Sequence, residues 1–264
     1  QRTMCIRARS HRRMESTYPE MIHPCRRDPW FPPDEQCVAL TSDYRLIQRY
    51  RGHRYSVDDM LVARLAASHA AHPRRILDLG CGLGSVLLML AWRFPRATLV
   101  GIEAQPEHVS LARRNVLING CEDRVTVLQG DLRYDEVFGV EQDGFDLVTA
   151  TPPYFDPRAS TVCSDPQRAH AQWELRGGIE DYALAASKSL SQYGLFVTCA
   201  APTPEHRAPR AFERAGLHPL WHRDVLPKPD KPCLLYTSDA ADDLLCVDLG
   251  GRRIIKKKTT THTR

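Results

Sequence analysis

The stretch that decides the fold is Arg75–Gly84, which reads RILDLGCGLG. Its first half is a short apolar run interrupted by one acid, Asp78, as in a buried strand of a sheet. The glycines of its second half let the backbone turn sharply, and the very apolar segment Ser85–Phe94 is predicted to be a helix. A strand, a glycine-rich turn and a helix in this order predict the first unit of a parallel sheet covered by helices.

Strands and helices alternate on both sides of this stretch. Further strands are predicted at Thr98–Glu103, Arg124–Leu128, Phe145–Thr149, Leu195–Ala200 and from Leu217 to about Val225. Further helices are predicted at Glu107–Ile118, Ile179–Leu190 and Pro209–Ala215, and one begins at a capping box of Ser56 and Asp59. The polar stretch Asp156–Leu175 is predicted to be irregular. This alternation predicts an α/β fold with a mostly parallel, twisted sheet and helices on both faces.

Composition restricts the classes of protein to consider. The chain has 264 residues, of which 42% are hydrophobic and 26% charged, and its net charge is +4. This length and composition are enough for one sizeable hydrophobic core. They exclude a chain that is disordered throughout and a strongly basic protein that binds polyanions. The longest apolar run, Val86–Trp92, is too short to cross a bilayer. The nine cysteines are scattered without a C-x-x-C pair, so we expect no disulfide framework, no metal site and a reducing compartment.

Glycines and carboxylates around the first turn indicate a ligand that contains adenosine. Glu103 ends the next strand, where a carboxylate can accept both ribose hydroxyls. A turn without a ligand and a dinucleotide site are the alternatives. However, the glycines follow a G-x-G-x-G spacing, and Asp78 would repel a pyrophosphate while suiting an amino group and a sulfonium. The combination resembles the S-adenosylmethionine site of class I methyltransferases and implies their Rossmann-like fold.

This resemblance implies a set of cofactor-binding residues along the edge of the sheet. They are Asp78, Gly80, Cys81, Gly82, Gly84, Glu103, Ala104, Asp131, Leu132 and Thr151. In that superfamily the acid at the position of Asp131 binds the adenine amino group. An acid after a strand is about as often an ordinary turn residue, so this assignment has an alternative.

A second motif, Thr151-Pro152-Pro153-Tyr154, follows the fourth strand and precedes Phe155. A proline pair at a strand end can be simply a rigid turn. At this edge of the sheet it also resembles the N/D-P-P-Y/F motif of amino-methyltransferases. The resemblance implies that the motif accepts both N–H groups of a conjugated amine and that its aromatic residue stacks on the target. Thr151 stands where that motif has Asn or Asp, and its hydroxyl lacks the reach of a carboxamide.

Three flanking segments narrow the resemblance to one family, the adenine-N6 methyltransferases that act beside the anticodon of a valine tRNA. The segments are Arg49–Asp59 (RYRGHRYSVDD), Asp165–Arg168 (DPQR) and Arg176–Gly178 (RGG), and the resemblance extends from Thr41 to about Pro202. It implies N6 methylation of adenine in structured RNA, with tRNA as the partner. The candidate substrate-binding residues are Arg51, Arg54, Tyr55, Phe155, Arg168 and Arg176. The alternative for the flanking segments is an ordinary solvated surface.

Two other functions stay open from the sequence. One is methylation of glutamine N5 in a protein, and the other is an RNA-binding module in which Thr151 marks lost activity. We expect a cytoplasmic monomer without a membrane partner. An organellar location would follow if residues 1–36 were a transit peptide rather than a disordered basic lead-in.

The end of the chain differs from the rest. Half of the six lysines stand together at 256–258, and Cys233–Asp242 (CLLYTSDAAD) and Cys246–Ile255 (CVDLGGRRII) resemble a translated sequencing adapter. We therefore expect residues 37–232 to form the methyltransferase domain and residues 233–264 to be a non-native tail. Because this fold normally finishes with an antiparallel strand pair, the sheet is expected to be truncated there.

Overall fold

A computed structural model describes residues 32–134, 144–202, 204–225 and 235–241. Its strands are β1 (Glu35–Ala39), β2 (Arg45–Arg49), β3 (Arg75–Leu79), β4 (Thr98–Glu103), β5 (Val125–Gln129), β6 (Phe145–Ala150), β7 (Leu190–Ala200), β8 (His218–Val225) and β9 (Leu235–Ala241). Its helices are α1 (Val57–His69), α2 (Ser85–Arg93), α3 (Pro106–Ile118), α4 (Pro166–Gln172), α5 (Ile179–Ser189) and α6 (Arg207–Arg214). The alternation predicted from the sequence is confirmed, with strand and helix ends shifted by a few residues.

The main sheet has the strand order β5-β4-β3-β6-β7-β9-β8. The first five strands in this order are parallel, and β9 is antiparallel to both of its neighbours. In register, Leu79 at the end of β3 lies beside Ile102 of β4 and Ala150 of β6. The carboxyl ends of the three central strands therefore meet at one edge, directly below the loops that follow them.

Side-chain alternation along β3 explains why both faces of the sheet are covered. Ile76 belongs to a core cluster with α1, α2 and α3, whereas Leu77 and Leu79 belong to a second cluster with α5 and α6. Successive residues of a strand point to opposite faces, so Asp78 shares the face of Ile76. A buried carboxylate thus lies within the first apolar layer, close to the edge where the strands end.

The hairpin of β1 and β2 was not predicted from the sequence, and two asparagines attach it to the domain: Asn115 of α3 and Asn119, which caps the end of that helix. The Asn115 side chain accepts from the backbone N–H of Ile47 at 2.6 Å and donates to the Ile47 carbonyl at 3.0 Å. Asn119, one turn later, makes the same pair of bonds with the backbone of Arg45. The two amides therefore satisfy one edge of β2 as a neighbouring strand would.

The far edge of the sheet differs from the expected truncation. Strand β9 pairs with β7 and β8, and it comes from the stretch that resembles an adapter. The expectation that the strand pair is missing is therefore not met. The physical reason is that strand pairing uses backbone groups, so the exposed edge of β7 can accept a segment of any suitable sequence. The native or non-native origin of residues 233–264 stays a prediction, and so do the boundaries at residues 36 and 232.

Three smaller findings complete the fold. Helix α4 lies in the stretch that was predicted to be irregular, where Asp165 caps it by accepting from the backbone N–H of Arg168 at 2.9 Å. Cys37 is disulfide-bonded, in contrast to the expectation of free thiols, whereas Cys81, Cys121, Cys163 and Cys199 are free. Within the described ranges, no helix is both long and apolar enough to span a membrane.

The first prediction concerns the attachment of the hairpin. We expect Asn115→Ala to lower the free energy of unfolding by about 1–3 kcal/mol, because it leaves buried backbone groups of β2 without partners. Asn115 also donates to the carbonyl of Leu83 in the glycine turn, at 3.0 Å. Leu117→Ala, at a position of the same helix that is 63% exposed, is the control. Urea unfolding followed by circular dichroism measures both, and equal stabilities of the two variants would contradict this role of Asn115.

Candidate active site

Two cavities that share one wall open above the carboxyl ends of the central strands. The first is lined by the glycine turn, the ends of β4, β5 and β6, and the start of α3. The second lies under the segment between β2 and α1 and beside α4. The residues common to both linings are His53, Asp59, Thr151 and Ala171.

Glu103 shapes the first cavity through the backbone around it. Its carboxylate accepts from the backbone N–H of Gly82 at 2.9 Å and from that of Gln105 at 2.7 Å. It is 7% exposed, and burial raises its pKa. Glu103 therefore fixes the glycine turn against β4, and each of its oxygens has lone pairs left for a further hydroxyl donor.

Gly82 leaves the space that a ligand would enter. Its φ is +53°, in the left-handed region that favours glycine, and a Cβ at this position would meet no atom within 4 Å. Gly82 also lines the first cavity. A bound molecule can therefore approach the backbone closely here.

Two more carboxylates are buried nearby: Asp78 in β3 beneath the glycine turn, and Asp59 at the junction of the cavities. Asp78 is 2% exposed and accepts from the hydroxyl of Thr149 at 2.8 Å, and burial raises its pKa to about 8. Asp59 is 7% exposed, and burial raises its pKa to about 6. A cationic ligand in this partly closed cavity would stabilise the ionised forms of these acids, whereas a pyrophosphate would oppose their ionisation.

Asp131 also lines the first cavity but is already engaged. The guanidinium of Arg133 donates to its two carboxylate oxygens at 2.9 and 2.6 Å, which lowers the pKa of Asp131. The Asp131 side chain is 18% exposed. An adenine amino group at this position would therefore share the carboxylate with Arg133.

The Thr151–Tyr154 motif contacts the first turn of α1. The hydroxyl of Thr151 faces a carboxylate oxygen of Asp59 at 3.5 Å, and the hydroxyl of Tyr154 donates to Asp58 at 2.9 Å. Burial and the charge of Asp58 raise the pKa of Tyr154, so the phenol stays protonated. The motif is therefore held from the side of α1, with Tyr154 facing the second cavity.

A buried glutamine holds the segment that covers both cavities. Gln167 of α4 is 1% exposed, and its carbonyl oxygen accepts from the backbone N–H of His53 at 3.1 Å and from Arg49 at 3.3 Å. Gly52 permits this approach, because a Cβ there would collide with the Gln167 amide. The R-Y-R-G-H and P-Q-R segments singled out in the sequence are thus two halves of one contact.

Most of the predicted site residues lie in the two linings. Those in the first cavity are Gly80, Cys81, Gly82, Glu103, Ala104, Asp131, Leu132, Thr151, Pro153 and Arg176, and those in the second are Arg51, Arg54, Tyr55, Thr151, Pro152, Tyr154 and Arg168.

Three predicted residues lie in neither lining. Asp78 is buried in β3 beneath the turn, and Gly84 caps α2 and packs against α3. Phe155 packs between Tyr154 and Trp173, edge-on to the first ring and tilted against the second, with ring centroids 5.3 Å from each. Asp78 and Gly84 therefore do not line the cofactor cavity as expected, because both lie beneath the glycine turn and support it there. Arg176, expected on the substrate side, lies in the first cavity instead.

Several lining residues were not assigned to the site from the sequence. In the first cavity they are Ser85, Gln105, His108, His170, Ala171 and Tyr182. His53, Asp58 and Asp59 also line the cavities, and they belong to the Arg49–Asp59 segment that the sequence had singled out. The three histidines come from separate segments and show no spacing in the sequence. Burial lowers the pKa of His53 to about 4 and that of His108 to about 3, so both are neutral. Among the described residues, no group of three or more ligating side chains could hold a metal ion.

The comparisons with known proteins agree with this geometry. A model of the methyltransferase domain family matches residues 76–168. A tRNA1(Val) (adenine(37)-N6)-methyltransferase of Porphyromonas gingivalis strain W83 is 34% identical over 146 residues, which cover 53% of this chain and 56% of that protein. The protein of the same name from Bacteroides thetaiotaomicron is 30% identical over 177 residues, covering 67% of this chain and 71% of the relative. The chain belongs to this methyltransferase family.

The family fixes the class of cofactor and the fold. The cofactor is S-adenosylmethionine, as expected from the sequence. The solved structure of a predicted O-methyltransferase from Agrobacterium tumefaciens has the same fold. The two structures align with a TM-score of 0.53 at 22% identity, and the alignment covers 70% of this chain and 80% of that one. The chain spans little more than half the length of the Porphyromonas relative.

The residues of the first cavity fit this methyl donor. The open space at Gly82 and the free lone pairs of Glu103 suit an adenosine, and the buried carboxylates suit a cationic sulfur. We propose that Glu103, Gly80, Gly82 and Asp131 hold the cofactor, with Asp78 acting from beneath the turn.

The second prediction separates this binding role from backbone strain. We expect Gly82→Ala to cost about 1–2 kcal/mol in stability, because its φ is left-handed, and also to lower cofactor affinity about tenfold or more. Gly120→Ala is a matched control, since Gly120 has a φ of +59° and equally open space but lies outside both cavities. Calorimetry with S-adenosylmethionine and thermal unfolding measure both effects. Equal affinities of the two variants would contradict the placement.

Proposed function

We propose that this protein transfers a methyl group from S-adenosylmethionine to the exocyclic N6 of adenine in a structured RNA, most specifically a tRNA near its anticodon. The observation that carries the proposal is the position of Thr151, which lines both cavities at once. A methyl donor in the first cavity and a target amine in the second would meet beside it. The relatives named as tRNA adenine-N6 methyltransferases support the same substrate.

The chemistry needs an oriented amine. When bound, the cofactor would supply a methyl group on a cationic sulfur. The nitrogen lone pair would form the new N–C bond as the C–S electron pair leaves with sulfur, and the nitrogen would lose one proton to water. The adenine amine is a weak nucleophile because its lone pair is delocalised into the ring. Acceptors at Thr151 and at the carbonyl of Pro152 would hold its N–H groups, so that the lone pair faces the methyl group.

Tyr154 supplies a flat surface for the target base. Its ring lines the second cavity, and its hydroxyl is anchored to Asp58, which fixes the orientation of the ring. Stacking of a base on an aromatic side chain contributes about 1–3 kcal/mol. A base in an anticodon loop is already accessible, so little energy is spent on removing it from a helix.

Charge around the second cavity suits a nucleic acid. Arg51, Arg54 and Arg168 line it and are exposed, and none of them forms an ion pair with a described carboxylate. Tyr50 and Tyr55 flank Arg51 and Arg54 in the sequence and line the same cavity. Guanidinium groups that can contact phosphates, next to aromatic rings that can stack on bases, are typical of proteins that bind unpaired RNA.

The third prediction tests the stacking surface. We expect Tyr154→Ala to lower kcat/KM for RNA methylation about 5- to 150-fold, the equivalent of the stacking energy. Tyr154→Phe keeps the ring and loses only the bond to Asp58, so it should retain most of the activity. Affinity for S-adenosylmethionine should be nearly unchanged in both variants. A Tyr154→Ala enzyme that is as active as the unaltered one would remove this role.

The proposed function itself is tested by methyl transfer from labelled S-adenosylmethionine. The chain is incubated with unmodified tRNA and, separately, with a protein extract, and the products are digested for mass spectrometry. N6-methyladenosine from the tRNA is the expected result. Label on glutamine would instead identify a protein methyltransferase. A folded chain that binds the cofactor but labels neither substrate would indicate a binding module.

A further inference from the structure

Asp59 lies at the point where the two cavities meet. It occupies the third position of α1, where one carboxylate oxygen accepts from the backbone N–H of Ser56 at 2.7 Å and completes the capping box. Its other oxygen faces the hydroxyl of Thr151 at 3.5 Å. The Asp59 carboxylate also makes a side-chain hydrogen bond with Ser85. The capping box therefore uses one oxygen, and the other is directed at the Thr-Pro-Pro-Tyr motif.

The shared wall contains few groups that can accept a hydrogen bond. Of the four side chains common to both linings, Ala171 is apolar, which leaves His53, Asp59 and Thr151. Reacting atoms in an in-line transfer approach to about 3–3.5 Å. An amine that reaches a methyl group across this wall must therefore place its N–H groups within reach of these three residues.

Thr151 alone is a poor substitute for Asn or Asp. Its hydroxyl is shorter than a carboxamide, and its one proton is directed at an oxygen of Asp59 that lies 3.5 Å away. That same arrangement places a full carboxylate beside the hydroxyl and polarises it toward accepting a further hydrogen bond. The two side chains together thus offer the hydrogen-bond acceptor that Thr151 alone does not provide.

We propose that the carboxylate oxygen of Asp59 that faces Thr151 accepts an N–H of the target amine together with Thr151, replacing the acceptor that an N/D-P-P-Y motif carries at position 151. This inference rests on the proposed function. Asp59 is then a residue that contacts substrate, in addition to its capping role. It also offsets the positive charge that develops on the nitrogen as the new bond forms.

The charges around Asp59 predict how activity depends on pH. Asp58 on the same helix, Asp78 of β3, Tyr154 of the motif and Cys199 of β7 all interact electrostatically with it. Burial raises the pKa of Asp59 to about 6. Only the ionised form is a pure acceptor, so kcat should fall as the pH drops through about 6.

The fourth prediction uses two substitutions and a matched control. Asp59→Asn turns an amide N–H₂ toward the amine, so we expect kcat for N6-methyladenosine formation in tRNA to fall about 10- to 100-fold, with little change in KM. Adding Thr151→Asn should recover much of this loss, because it restores the acceptor at the motif. Asp181→Asn alters the same capping position of α5, outside both cavities, and should leave kcat unchanged.

Each outcome has a defined meaning. A loss in Asp59→Asn that Thr151→Asn recovers supports the inference, since a helix cap would not be rescued from position 151. Activity equal to that of the unaltered chain, or an unrecovered loss that Asp181→Asn shares, overturns it. If Asp59→Asn does not fold by circular dichroism, the unaltered chain decides: a kcat that is constant between pH 5 and 7.5 overturns the inference, and an inflection near 6 supports it. No N6-methyladenosine from the unaltered chain overturns the proposed function and, with it, this inference.

Discussion

Burial of carboxylates at one edge of a parallel sheet is the constraint on which the rest of the site depends. Asp59, Asp78 and Glu103 come from a helix start, a strand interior and a strand end, yet each is at most 7% exposed. Burying an acid costs free energy unless hydrogen bonds or an opposite charge offset it. The glycine turn, the capping box of α1 and the Thr149 hydroxyl supply such hydrogen bonds. The loops therefore adopt conformations that direct donors at these buried carboxylates.

The same constraint separates the two ligand classes that the sequence left open. A dinucleotide would bring a pyrophosphate to the glycine turn, next to acids whose pKa values are already raised by burial. A methyl donor brings a cationic sulfur and an amino group, which would stabilise the ionised forms of these acids. The electrostatics of the cavity therefore agree with the family that the comparisons show.

The predictable part of the structure came from local patterns. RILDLGCGLG placed β3, the turn and α2 correctly because apolar periodicity and glycine geometry act over a few residues. The contact between Gln167 and His53 could not be predicted, because it joins residues 114 positions apart and depends on how α4 packs. Asp59 was recognised as a helix cap, but its second contact with Thr151 spans 92 positions and needs the folded sheet. The β1–β2 hairpin was missed for a related reason, since asparagines of a distant helix complete its edge.

The central claim is that donor and acceptor meet at the wall between the two cavities. A crystal structure of the protein with S-adenosylmethionine bound tests this most directly. We predict that the ribose hydroxyls donate to Glu103 and that the methyl carbon lies at the shared wall, within about 4 Å of Thr151 or Asp59 and open to the second cavity. A cofactor bound elsewhere, or one whose methyl group is sealed from the second cavity, would contradict it.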